Sequence, residues 1–172
     1  VAKAAVEVLT SLGLNTDVDL LHFDPIKETL RTDTDASVID IAVAMHVATV
    51  QIQILISQTA AVLNGVGVSI DEATAIDQAY EALAASLMNN TELFDLTSND
   101  VIAQVIQDAT ILSGADTAAV FKVGVLLTDA AQTIANLNQA VTTASTSSAN
   151  QSKVLSSIAA VQIVAEDIED TM

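Results

Sequence analysis

The chain has 172 residues, 51% of them hydrophobic, with 22 acidic residues against five basic ones and a formal net charge of −17. That length suits one domain able to bury about 70% of its unfolded surface, whereas five cations are too few to neutralise a nucleic acid backbone or to hold an anionic membrane surface. With no cysteine and only 2% aromatics, a disulfide framework is impossible, a cysteine zinc site is excluded, and the core must be built from Ala, Val, Ile and Leu.

The first helix is read in AKAAVEVLTSLG, which closes on Gly13. The stretch LGLNTDVDLLHFDPI, residues 12–26, departs most from generic helix. Asp24 and Pro25 there place an acid at the N-cap and a proline at the first helical position, where its missing N–H costs nothing. Leu20, Leu21 and Phe23 are expected to anchor this loop in the core. The short helix that follows ends near RTDTD, where Asp33 or Asp35 can cap the next one.

Residues 36–64 form the most informative element. Val38, Ile41, Met45, Ala48, Ile52, Leu55, Thr59 and Val62 recur at spacings of three and four, the signature of one packed helical face. A second apolar line runs through Ile39, Val43, Val47, Val50 and Ile54. Polar side chains form two narrow stripes, one of Asp40, Gln51 and Gln58, the other of His46, Thr49, Gln53 and Ser57. Two apolar flanks demand two sets of neighbours, so residues about 38–63 are predicted as a buried central helix. The segment has the ~20 apolar residues needed to span a bilayer, but Asp40, His46 and three glutamines interrupt it and no cations flank its end. A buried helix of a soluble bundle is the expectation, with no membrane insertion.

Ser69 and Glu72 have capping-box spacing and open a helix to about Met88. NNTELFDLTSND is a polar connection with a single turn expected at 92–95. Ser98 or Thr97 caps a helix that runs to Leu112 and ends in SGAD. A long helix from about 117 to 144 is expected to turn Phe121, Val125, Ala131 or Ile134, and Leu137 inward. TASTSSANQ breaks it, and a last helix spans about 151–168. No alternating strand pattern competes, so the fold class is all-α: a single-domain bundle of five or six main helices over residues 1–172.

Chemistry is sparse. Asp17, Asp19 and Asp24 are the calcium candidates, since calcium takes six to eight oxygens and accepts loop carbonyls. Against them, DVDLLHFDPIKE carries Leu20, Leu21 and Phe23 where an EF-hand needs glycine and oxygen ligands. Capping by Asp24, with Asp17 and Asp19 in water, is the simpler reading. The acids at 166–170 sit at a helix C-terminus, where the macrodipole prefers cations. His22 and His46 are the only histidines, and His46 reads as a hydrogen-bonded packing residue. No Glu-x-x-His pair, phosphate loop or nucleophile elbow is present. No enzyme activity and no cofactor are expected, with calcium the sole candidate ligand ion.

LGLNTDVDLLHFDPI resembles the segment "LGLP..VDLtsyDPi" of an all-helical module found in very large secreted bacterial adhesin-like proteins. Those chains also carry cadherin-like, immunoglobulin-like and hemolysin-type calcium-binding repeats. LFDLTSNDVIAQVI is similar to the module's "ldLtd..vi..li", IANLNQAV to "iaaiNaai", and SSIAAVQIVAEDI to its closing "aaiqkvaq" run, in order along nearly the whole chain. Asn15 and Thr16 stand where the family often has proline. A "TPLT" leading segment is missing, which implies a shortened first helix. The resemblance implies an extracellular or cell-surface setting, excision from a larger multidomain secreted protein, and neighbouring domains, surface proteins or glycans as partners. It supplies no catalytic residues. The resulting expectation is a non-enzymatic structural or interaction module; alternatives are a site for a small apolar ligand or peptide between helices, and a calcium-binding module.

Overall fold

The helix that carries two apolar flanks organises the molecule. In the computed structural model, which describes all residues except 1, 21, 34, 69, 70, 90–92, 147–149 and 170–172, it is α3, Ala36–Gly65. Around it lie α1 (Ala2–Ser11), α2 (Pro25–Leu30), α4 (Glu72–Asn89), α5 (Asn99–Leu112), α6 (Thr117–Thr146) and α7 (Gln151–Glu169). Among the described residues there is no strand. Five helices have 14 residues or more, and α1 and α2 are short. The fold is an all-α bundle.

α3 touches α2, α4, α5, α6 and α7. Its buried residues include Met45, Ala48, Leu55, Thr59 and Val62 from the first apolar line and Val50 and Ile54 from the second. Side-chain ties fix how its neighbours run. Gln51 meets Asn138 and Lys122 meets Val66, so α6 is antiparallel to α3. Gln53 meets Gln162 and Gln58 meets Ala165, so α7 runs parallel to it.

The helix ends follow local chemistry. Gly13, at φ +66°, closes α1 in a left-handed turn: its N–H donates to Thr10 O and the Leu14 N–H to Leu9 O at 2.8 Å. That is the six-to-one pairing of a Schellman stop, which puts Leu14 over the buried Leu9. Asp24 caps α2 by accepting from Lys27 N at 3.0 Å, with Pro25 in the first turn. Ser98 caps α5 through Val101 N at 3.5 Å.

Other expected caps differ. Asp35 is the N-cap of α3, but its side chain makes no capping bond, and the backbone carbonyl alone receives Val38 N and Ile39 N. At α4 the carboxylate of Asp71 caps the helix, accepting from both Thr74 N and Thr74 Oγ1. Ser69 lies outside the described residues. The turn expected at 92–95 falls partly outside them, and the observed turn lies three residues later, where Ser98 N donates to Asp95 O. Asp95 draws it there by accepting from Thr97 N and Thr97 Oγ1.

Candidate functional site

The acidic loop does not assemble. Asp17 is exposed, and its N–H donates to Asn15 Oδ1 in a local turn. Asp19 pairs with His22 Nδ1 at 2.8 Å, and Asp24 is occupied with the α2 cap. Each acid serves its own turn. Among the described residues no three of His, Cys, Asp and Glu come together as a metal-holding group. Leu20 remains 37% exposed and so is not the anchor expected, Phe23 is partly buried, and Leu21 lies outside the described residues. α2, with its Thr29 buried, packs against α3 and α7. Asp33 beside Arg31 is held below the usual carboxylate range by the guanidinium hydrogen bond. Glu166 and Asp167 are exposed on α7.

His46 is half-buried in α3, and desolvation lowers its pKa, which keeps the imidazole neutral. It is not close to an assembled ligand set.

Two glutamines assigned to a polar stripe are buried. Gln51 donates from Nε2 to Asn138 O and to Thr142 Oγ1, both at 3.0 Å. Asn138, itself fully buried, donates from Nδ2 to Leu96 O. Gln58 spans to Ala165 O on α7 at 2.8 Å. Long amide side chains reach backbone carbonyls that short polar groups would not, so these helices pack over a polar stripe. The network is structural: it ties α3 to α6, to α7 and to the loop at Leu96.

The least satisfied surface is apolar. Where Gly114, at φ +66°, turns the chain from α5 into α6, Ile111 and Phe121 are each 72% exposed and Val125 65%. Leu112, Val120 and Leu126 are also exposed. This corrects the expectation that Phe121 and Val125 face inward; the inner residues of that half of α6 are Ala119, Val123, Ala130 and Ala131. Thirty residues make α6 about 45 Å long, and the fourteen of α5 only about 21 Å. Asn99, at the start of α5, meets Gln132, so the excess length of α6 lies beyond Gln132; residues 117–129 run beside α5, and their flank at Phe121 and Val125 stays exposed.

Between α5 and α6 a groove of about 210 Å³ is lined by Gln107, Thr110, Ile111, Val120, Val123, Gly124 and Leu127. Gly124 forms its floor: a Cβ there would meet nothing within 4 Å. A more polar cleft of about 410 Å³ lies where Asn99 donates to Gln132 and Gln132 to Asn136. A third, of about 400 Å³, separates Ile39 and Val43 of α3 from Ser145 and Val154.

By length and composition, α3 and α6 are each apolar enough to cross a membrane; the most apolar window of α3 is 44% buried within the bundle and that of α6 28%. The difference comes from the bare flank of α6. Searched against family models, curated proteins and solved structures, the chain matches none of them.

Proposed function

We propose that the chain is a non-enzymatic interaction module of a large secreted or cell-surface adhesin-like bacterial protein, and that it docks through the α5–α6 tip. One observation carries this reading: Ile111, Phe121 and Val125, all near the turn between α5 and α6, are exposed at 72%, 72% and 65%. Contiguous exposed apolar side chains on a soluble helical body mark a place where something else is bound. The bundle contributes rigidity, since the amides of Gln51, Asn138 and Gln58 hold α3, α6 and α7 in one register. The resemblance of LGLNTDVDLLHFDPI and the later motifs supplies the surface setting.

A small apolar ligand between the helices is the second reading, favoured by the groove over Gly124. A neutral solvatochromic dye, Nile red, tests both. Wild-type chain should enhance its emission, and the double variant Ile111→Ser/Phe121→Ser should lose that enhancement with an unchanged melting temperature. If the loss follows Gly124→Leu alone, which fills the groove and leaves Phe121 exposed, the small-ligand reading wins. Dye binding insensitive to all three substitutions ends the tip's candidacy.

A further inference from the structure

We propose that the α5–α6 tip receives a basic amphipathic helical segment of a partner protein, an inference that rests on the tip being a docking face. The apolar part of the match is geometric. Val120, Gly124 and Leu127 follow one another at helical spacings of four and three, with the groove of about 210 Å³ along them. A ridge of side chains from a second helix fits such a row, and the missing side chain at Gly124 lets one bulky aliphatic group sit deep.

Charge selects among the possible occupants. Asp108 lies one helical turn before Ile111 on α5 and the exposed Asp116 lies in the turn into α6, while α5 and α6 together carry one cation, Lys122. The Lys122 ammonium is already engaged, donating to Val66 O at 3.1 Å. The α5 side and the turn of the apolar tip thus carry carboxylates, on a chain of net charge −17. A second copy of this chain would bring the same carboxylates and a further net charge of −17, and an anionic lipid surface would be repelled likewise. A segment bearing Lys or Arg is attracted from a distance, associates faster, and meets these acids while its apolar face covers Phe121. The aliphatic stems of Lys and Arg add apolar cover of their own.

The test uses the full chain and two fluorescein-labelled peptides of about sixteen residues, roughly four helical turns. Both carry Leu at helical spacing, one with Lys and the other with Glu on the remaining face. Anisotropy titrations should show the Lys peptide binding more tightly than its Glu twin by about tenfold or more, and more weakly as salt rises. Ile111→Ser/Phe121→Ser should weaken the Lys peptide by about tenfold, as loss of an aromatic anchor does, and Phe121→Ser alone by less. Ile163→Ser/Val164→Ser, on exposed residues of α7, should leave it unchanged. Equal binding of the two peptides overturns the inference, as does Lys-peptide binding that ignores the tip substitutions. So does sedimentation showing a dimer that those substitutions dissolve, or retention on phosphatidylcholine vesicles that they abolish. Loss of charge preference with dye binding intact overturns only this inference; absence of dye binding at the tip overturns the docking face itself.

Discussion

Gln58 of α3 donates its side-chain amide to the main-chain carbonyl of Ala165 on α7 at 2.8 Å, with the glutamine completely buried. Its Oε1 finds no partner. Truncation and replacement should therefore differ. Gln58→Ala removes the tie and leaves a cavity, a loss of about 2–4 kcal/mol. Gln58→Leu keeps the volume and removes a buried orphan acceptor, so its cost should stay under about 1 kcal/mol. Urea unfolding followed by circular dichroism measures both; equal losses would show that the hydrogen bond, not the packing, dominates.

The glycines at 13 and 124 should respond in opposite directions. Gly13 sits at φ +66°, and a Cβ there would also approach Leu93 Cδ2 at 3.4 Å, so Gly13→Ala should destabilise by about 1 kcal/mol. Gly124 lies inside α6 with open space around it. Gly124→Ala should stabilise by about 0.5–1 kcal/mol through helix propensity. Thermal melts of the two variants beside wild type check the pair.

Removing the Asp24 cap should cost about 1 kcal/mol in Asp24→Ala, the usual loss when a helix N-cap is deleted. Calcium and sodium at matched ionic strength should raise the melting temperature of wild type by similar amounts, by screening the charge of −17. A saturable rise at low calcium, absent from Asp24→Ala, would show instead that this carboxylate helps to hold an ion.

His46 gives stability a pH dependence. Its folded pKa is lowered by burial, so the unfolded chain takes up the proton first as pH falls. The contribution is complete above the unfolded value of about 6.5 and is lost as pH drops from there through the folded pKa. His46→Gln should flatten the melting temperature across that interval, and an unchanged slope would place the titration elsewhere. Asp71 acts in a lower window: the hydrogen bonds from Thr74 depress its pKa, so its contribution is present above about 4 and fades as pH falls through the folded value.

The helices were legible because their ends are written in single residues: Gly13, Asp24 with Pro25, Ser98, and SGAD. Burial along α3 was legible from its two apolar lines. Two things were not. Gln51 and Gln58 read only as members of a polar stripe because periodicity registers polarity and is blind to reach; an amide long enough to find Asn138 O or Ala165 O can be buried between helices. Phe121 and Val125 read as core because they are apolar on a helix, but burial needs a neighbour, and which flank of α6 receives one is a property of the assembled bundle. The exposed tip was thus hidden by the same apolar pattern that located the core.

Helices adjacent in sequence are largely adjacent in space here, α3 with α4, α4 with α5, α5 with α6 and α6 with α7. Such local topology favours rapid assembly. The bond from Gln58 to Ala165, however, joins positions 107 residues apart. During synthesis the most apolar helix emerges early and receives its last cover late, after α6 and α7 have been made. Until then the flank of α3 that will hold Gln51 and Gln58 is open to other nascent chains, and aggregation there competes with completion of the bundle. For this sequence the hazardous interval is therefore set by the ribosome's pace between the two ends of that bond.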